Sequence, residues 1–454
     1  MKTINIGLLG CGTVGTGVAR ILIQNQEIIR SRVGATLNLK RIADIDIDRD
    51  RGIVFEKDVF TTNADSIVTD PDIDIIVETI GGLGIAKILI LKAIANGKQV
   101  VTANKALLAS EGNSLFRIAA DKGVELAFES SVGGCMPVIK TLRESLVGNQ
   151  IQAMSGILNG TCNYILSKIT DDGDTFEMAL AKAQSKGFAE ADPTLDVEGF
   201  DTAHKLAILT SLAYGTDLCI DDIYVEGISK ITPLDIEFAG QFGYKIKLLA
   251  ISKNRGNAVE ARVHPTMIPF DNILSSVNGS LNAITITGDA VGDILLYGKG
   301  AGMMPTASAV VSDVVDIARN LLTGSVGRVP LLSYQKDYIH RIPVMPVDEI
   351  ISHYYFRFAA LDQPGVLSKI SGILGNHGIS LKSVHQKGRK SEGSVPLVMM
   401  THLARESNVQ LALSEIVHLE VVSDMPALIR VEDSNCSDYK DVYGGPTPIE
   451  VLCI

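Results

Sequence analysis

The sequence predicts an α/β chain of three parts: a nucleotide-binding domain on a parallel sheet, an α+β domain, and a small C-terminal ferredoxin-like unit. Three observations predict it. Over the first 130 residues, short β-branched runs alternate with segments of helical spacing. A glycine-rich loop, Gly10-Cys11-Gly12-Thr13-Val14-Gly15, lies between the first such run and the first helix. From Tyr354 to Val431 the pattern reads strand, helix, strand, strand, helix, strand.

In the first part the strands are Ile4–Leu9, Leu37–Ala43, Ile73–Thr79, Val100–Thr102 and Val124–Phe128. The helices are Val14–Ile29, Gly84–Ala95 and Leu107–Lys122. A sheet of this kind binds ligands beyond the carboxyl ends of its strands, so chemistry is sought directly after each strand. The middle part mixes helices at Pro137–Leu146, Phe176–Lys186, Thr202–Tyr214 and Ala307–Leu322 with strands at Ala258–His264, Ala283–Thr287 and Ala290–Leu296. The third part reads Tyr354–Ala360, Pro364–His377, Ile379–Lys387, Val395–Thr401, Asn408–Val417 and Ala427–Val431. The expected division is 1–134, then 135–330 with a return to the nucleotide domain near 300–320, a linker at 331–352, the third unit at 353–431, and a tail at 432–454 with no assigned role.

At 454 residues, two to four domains are expected. Hydrophobic residues at 46% and charged residues at 20% exclude wholesale disorder. The net charge of −11, with no basic run, argues against nucleic acid or an anionic membrane as partner. No apolar stretch reaches the ~18 residues of a membrane span; the richest, Ile85 to Ala95, contains Lys87 and Lys92. The N-terminus reads as a strand broken by glycine, not a signal peptide. Six cysteines, at 11, 135, 162, 219, 436 and 453, form no C-x-x-C pair. Scattered cysteines suggest a reducing compartment, and a cytoplasmic protein is expected.

Gly10 permits a tight turn, Gly12 lets the backbone approach a pyrophosphate, and Gly15 lets helix and strand pack closely, the features of a Rossmann dinucleotide site. The helix start then offers N–H groups to phosphate. At the end of the second strand, Asp44 suits a ribose 2′-hydroxyl and Arg41 a 2′-phosphate. The two signals conflict, with a slight lean to NADP(H).

Lys105 follows the strand ending at Thr102, at the edge of the cofactor cleft, where a helix start disfavours positive charge. Further on, Glu190, Asp192 and Asp196 precede Asp201 and Lys205, which share a helix face at i, i+4. That pair reads either as a surface ion pair of about 0.3–0.5 kcal/mol or as a catalytic set. The uncharged run after Lys205 marks a buried helix, where a lysine needs a partner. His204 lies on another face and reads as a core histidine. Zinc spacing and a Gly-x-Ser-x-Gly elbow are both missing.

Five blocks together resemble the homoserine dehydrogenase family: residues 7–15, 101–106 (Val-Thr-Ala-Asn-Lys-Ala), 156–165 (Gly-Ile-Leu-Asn-Gly-Thr-Cys-Asn-Tyr-Ile), 187–206, and 300–308 (Gly-Ala-Gly-Met-Met-Pro-Thr-Ala-Ser). Asp362-Gln-Pro-Gly-Val-Leu and Asn376-His-Gly-Ile-Ser resemble an ACT domain. The resemblance implies reversible reduction of L-aspartate 4-semialdehyde to L-homoserine with NADP or NAD as cofactor. It implies Lys205 as proton donor to the developing alkoxide and Lys105 as a second essential lysine beside the nicotinamide. Glu190 and Asp201 would bind the substrate ammonium, with Asp196 at another matching acidic position. Cofactor contacts would come from Gly10, Gly12, Thr13, Val14, Gly15, Arg41, Thr79, Thr102, Lys105, Gly187 and Gly302. A sodium ion would sit on Glu129 and the backbone oxygens of Val132, Gly134 and Met136; Cys135 departs there from the family's glycine. A substrate-binding and dimerisation role for the middle domain, feedback by L-threonine at the ACT unit, and a homodimer or homotetramer are also implied. Two other readings are an amino-acid sensor on a relic nucleotide fold, and a hydroxy-acid dehydrogenase using His204 with Asp201.

Overall fold

The computed structural model describes residues 2–386 and 394–432. Lys387, Cys436, Cys453 and the tail from 433 onward lie outside the described residues. The chain divides into two compact units. One holds Met1–Ala153, Asp201–Asp222 and Leu281–Ile342; the other holds Met154–Phe200, Ile223–Ser280 and the chain from Pro343.

The first unit is built on a six-stranded sheet of β1 (Thr3–Leu9), β2 (Thr36–Ala43), β3 (Phe60–Thr61), β4 (Ile75–Glu78), β5 (Gln99–Thr102) and β6 (Leu126–Ala127), in the order β3-β2-β1-β4-β5-β6. Every pairing is parallel. Central β1 buries Ile6, Leu8 and Leu9 completely, as a strand covered on both faces must. The expected helix Val14–Ile29 is two helices, Thr13–Gln24 and Gln26–Val33, parted at Asn25 (φ −102°). Asparagine competes for backbone hydrogen bonds and favours helix ends. β3 and the helix Ala64–Val68 were too short to show periodicity.

The 21-residue helix Met303–Thr323 buries Ala307, Val310, Val311, Val314, Ile317 and Ala318 in the same core as Val18, Ala19 and Leu22. Gly17 permits that approach, since a Cβ there would lie 2.8 Å from the Cβ of Ala307. Helix Phe200–Tyr214 is buried from Asp201 onward except at His204. Against its end, the ring of Tyr334 lies on Gly215, and the Tyr334 hydroxyl donates to the carbonyl of Ala213 at 3.0 Å.

In the second unit, strand Tyr244–Asn254 pairs antiparallel with Val259–Pro269. The latter pairs in parallel with Ala427–Val431, Thr266 opposite Arg430. The sheet continues antiparallel through Ile351–Leu361, Ser394–Thr401 and Leu381–Gln386. With helices Val366–Asn376 and Glu406–Ile416 this is the expected β-α-β-β-α-β unit, its core centred on Tyr354, Phe356, Phe358, Ile370 and Val409. Among the described residues no helix is long and apolar enough to cross a membrane.

Candidate active site

The loop after β1 closes as its glycines require. Gly10 takes a positive φ of 87° and donates to the Ala43 carbonyl at 2.8 Å. The Thr79 hydroxyl donates to the Gly10 carbonyl at 2.7 Å. A Cβ on Gly15 would fall 2.1 Å from that carbonyl oxygen and 2.9 Å from Thr79 Oγ1. A Cβ on Gly12 would meet nothing within 4 Å, so the loop's outer face is open there. The helix beginning Thr13-Val14 has no capping side chain, which leaves its positive end available to phosphate. Gly302 (φ 124°) likewise opens helix Met303–Thr323 without a side-chain cap.

Asp44 and Arg41 have protein partners. Asp44 accepts the N–H of Cys11 at 2.5 Å and of Asp46 at 2.9 Å, and lies 3.5 Å from Arg51. Arg41 donates to the Asp58 carbonyl at 2.7 Å. Arg51, absent from the sequence reading, is buried, donates to the Cys11 carbonyl at 2.9 Å and stacks over Phe60. A lone arginine in a loop gave no sequence signal.

Glu78 was also missed. Wholly buried at the end of β4, it accepts the N–H groups of Ile80 and Gly81, each at 2.8 Å, and the Thr102 hydroxyl at 2.5 Å. Thr102 Oγ1 in turn accepts the Asn104 N–H at 3.1 Å. Asn104 caps helix Lys105–Asp121 and donates to the Gly82 carbonyl at 2.7 Å. One carboxylate thus ties together the loops after β4 and β5, and fixes where Lys105 begins its helix.

Lys105 and Lys205 meet on Asp201. Lys205 Nζ lies 2.6 Å from Oδ2 and Lys105 Nζ lies 3.1 Å from Oδ1. The Lys205 side chain is only 10% exposed and that of Lys105 43%, so the group runs from a buried helix to an open edge. Asp201 also offsets the unfavourable placement of Lys105 at a helix start. Burial lowers the pKa of neighbouring His204, against a weaker opposing pull from Asp201.

The acidic segment belongs to the second unit. Gly187 has φ 72°, and the Phe188 carbonyl accepts the Thr161 hydroxyl at 2.7 Å. Glu190 is exposed. Asp196 Oδ1 accepts the side-chain N–H of Asn159 at 2.7 Å, and its carbonyl accepts the Cys162 thiol at 3.1 Å. Asn159 is also the N-cap of helix Gly160–Asp172.

Behind β6, Glu129 is 3% exposed and accepts the N–H groups of Ile139 and Lys140, each at 2.8 Å. Its own N–H donates to Asp313 Oδ2 at 2.8 Å. Burial first, and then Asp313, pushes the Glu129 carboxyl up to about 7; burial pushes Asp313 up to about 6. The Ser130 hydroxyl oxygen is buried without a hydrogen-bond partner. Gly134 (φ 59°) must be glycine, because a Cβ would lie 2.6 Å from the Gly300 backbone. Two destabilised carboxylates, an orphan hydroxyl and a turn of carbonyls make a donor set that suits a hard cation. Among the described residues, no three His, Cys, Asp or Glu side chains gather to hold a metal ion.

The chain matches the family model described as homoserine dehydrogenase over residues 137–315, homoserine dehydrogenase, NAD binding domain over 10–129, and ACT domain over 354–420. A homoserine dehydrogenase of Pseudomonas aeruginosa is 45% identical over 439 residues, 96% of this chain and 100% of that protein. One of Neisseria gonorrhoeae is 43% identical over 95% of this chain and 99% of that protein. The crystal structure of a homoserine dehydrogenase from Thiobacillus denitrificans superposes with a TM-score of 0.90 at 44% identity, covering 95% and 99% of the two chains. A hyperthermophilic archaeal homoserine dehydrogenase in complex with NADPH matches 69% of this chain and 97% of its own with a TM-score of 0.59 at 26% identity. The family models take in the dinucleotide loop from Gly10 onward and both lysines of the pair, and relatives at this identity span almost the whole chain: the chain belongs to the homoserine dehydrogenase family, NAD(P)-dependent oxidoreductases of amino-acid biosynthesis, and carries an ACT domain.

Proposed function

We propose that this chain catalyses the reversible reduction of L-aspartate 4-semialdehyde to L-homoserine, within threonine, methionine and isoleucine biosynthesis. The observation that carries the reading is the single carboxylate of Asp201 holding both Lys105 and Lys205. When bound, the reduced nicotinamide supplies the hydride that reaches the aldehyde carbon. The rest falls to the chain's own side chains. Lys205 donates a proton to the carbonyl oxygen as negative charge grows there, and takes it back in the reverse direction. Asp201 aims that ammonium. Lys105, on the open side, adds positive charge beside the nicotinamide. Glu190 and Asp201 take the substrate ammonium, with Asp196 a further acidic substrate-binding position.

Gly10, Gly12, Thr13, Val14 and Gly15 hold the pyrophosphate, with Thr79, Thr102, Gly187 and Gly302 completing the cofactor contacts. The slight lean is to NADP(H), with Arg41 meeting the 2′-phosphate; both Arg41 and Asp44 already have protein partners, Arg41 on the Asp58 carbonyl and Asp44 on Cys11, Asp46 and Arg51. Glu129 and the carbonyls of Val132, Gly134 and Met136 would hold a sodium ion, whose charge would stabilise the ionised Glu129 carboxylate.

The ACT unit takes an amino-acid effector, L-threonine. What supports this is a cavity of about 460 Å³ beside the turn Asp362–Gly365, bounded also by Leu361, Gln386 and Leu397. A homodimer or homotetramer in the cytoplasm completes the proposal. Lys205→Ala tests its core: NADPH oxidation with L-aspartate 4-semialdehyde should vanish while NADPH binding persists. Full activity in that variant would refute the role given to Lys205.

A further inference from the structure

Lys247 lies in the middle of strand Tyr244–Asn254, only 2% exposed. Its ammonium has three hydrogens and meets three oxygens: Val277 O at 2.6 Å, Asn163 Oδ1 at 3.0 Å and Asn278 Oδ1 at 3.2 Å. None of the three acceptors is a carboxylate, so its direct hydrogen bonds all go to neutral dipoles. Burial lowers this lysine to about 8, with Lys245 adding to the effect and Asp171 opposing it. A buried cation hydrogen-bonded only to neutral groups among the described residues is costly to keep, and a neutral residue would fill the same space at less cost.

What the ammonium holds is the helix Gly160–Asp172. Asn163 Nδ2 donates to the same Val277 carbonyl at 3.1 Å, and Ser167, one turn on, accepts the Gly279 N–H at 3.0 Å. The first turn of that helix carries the acidic segment at both ends: Thr161 bonds the Phe188 carbonyl, and Asn159 and Cys162 bond Asp196. Glu190 lies between those anchors. We propose that Lys247 is a positioning residue for the dehydrogenase reaction, its ammonium locking helix Gly160–Asp172 in the register that presents Glu190 to the substrate. This rests on the reading of Glu190 as a substrate ligand.

The test is steady-state kinetics on the full-length enzyme carrying Lys247→Met, Asn163→Ala, or both, with Glu190→Gln alongside. Lys247→Met should raise the KM for L-homoserine about ten-fold or more, a loss of ~1.4 kcal/mol, while the KM for NADP⁺ stays within about two-fold. Asn163→Ala should do the same, and the double variant should be no worse than the poorer single one, because both break the shared Lys247–Asn163 contact. An unchanged KM for L-homoserine in Lys247→Met, with Glu190→Gln impaired, overturns the proposal. Equal losses in kcat and both KM values, following a lowered melting temperature, also overturn it, since they describe a merely structural lysine. If Glu190→Gln is unimpaired, the reading of Glu190 fails instead. Should Lys247→Met not fold, Asn163→Ala alone is read by the same criteria.

Discussion

Lys105 and Lys205, from different helices, bind opposite oxygens of the Asp201 carboxylate, at 3.1 and 2.6 Å. Two ammonium groups held this close repel each other, and the carboxylate between them offsets that repulsion. The arrangement makes Asp201 the hinge of the account. Asp201→Asn keeps the shape and removes the charge. It should lower kcat by about 100-fold or more, with NADPH affinity within about two-fold, as measured by steady-state rates and fluorescence titration.

Gly15 is fixed by contact with the Gly10 carbonyl. Gly15→Ala must push helix Thr13–Gln24 off β1 or distort the loop, an overpacking cost of about 1–3 kcal/mol. Calorimetric titration should find NADPH affinity lowered by about ten-fold or more.

The Glu129–Asp313 pair sets a pH dependence. Both carboxyls have folded pKa values above their usual ones, about 7 and about 6. A group raised in this way binds protons more tightly in the folded state, so its stabilisation is full at low pH and is lost as pH rises through the folded value. Without added sodium, the contribution of this pair to stability should therefore decline from about pH 4 to pH 7. A cation needs the ionised form, so sodium should raise the melting temperature more at pH 8 than at pH 6. Glu129→Gln should abolish that difference. A sodium effect equal at both values would contradict the site.

Where the ACT strand Ile351–Leu361 meets helix Pro233–Gln241, Asp235 is wholly buried and takes Arg357 Nε at 2.6 Å and the Tyr355 hydroxyl at 3.1 Å. Arg357→Met removes the cation from that buried carboxylate and leaves it only its bonds to Thr232 and Tyr355, at a cost of up to about 3–5 kcal/mol. Thermal unfolding should show the loss, and Asp235→Asn should recover part of it in the double variant.

Much of this was readable in the chain. The alternation of strands and helices and the glycines at 10, 12 and 15 gave the sheet and its loop, because both depend on local rules. Asp201 with Lys205 was readable from helical spacing. Lys105 with Asp201 was not, since only the fold brings them together. Glu78, Arg51 and Lys247 escaped for a shared reason: each is one charged residue whose partners, backbone groups included, are brought to it only by the fold. Lys245 and Lys247 also masked the strand Tyr244–Asn254 by interrupting its apolar run, while Lys247 in fact points into the interior. The helix Gly160–Asp172 was hidden by its polar start, Gly-Thr-Cys-Asn, whose side chains are spent on Phe188, Asp196 and Lys247.

A crystal structure of the enzyme with NADP⁺ and L-homoserine bound is the most direct measurement. Lys205 Nζ should lie within hydrogen-bond reach, about 3 Å, of the substrate hydroxyl oxygen, with Asp201 still joining both lysines and the reacting carbon facing C4 of the nicotinamide. A complex in which that oxygen is held by other groups, and Lys205 stays paired to Asp201 away from the nicotinamide, would contradict it.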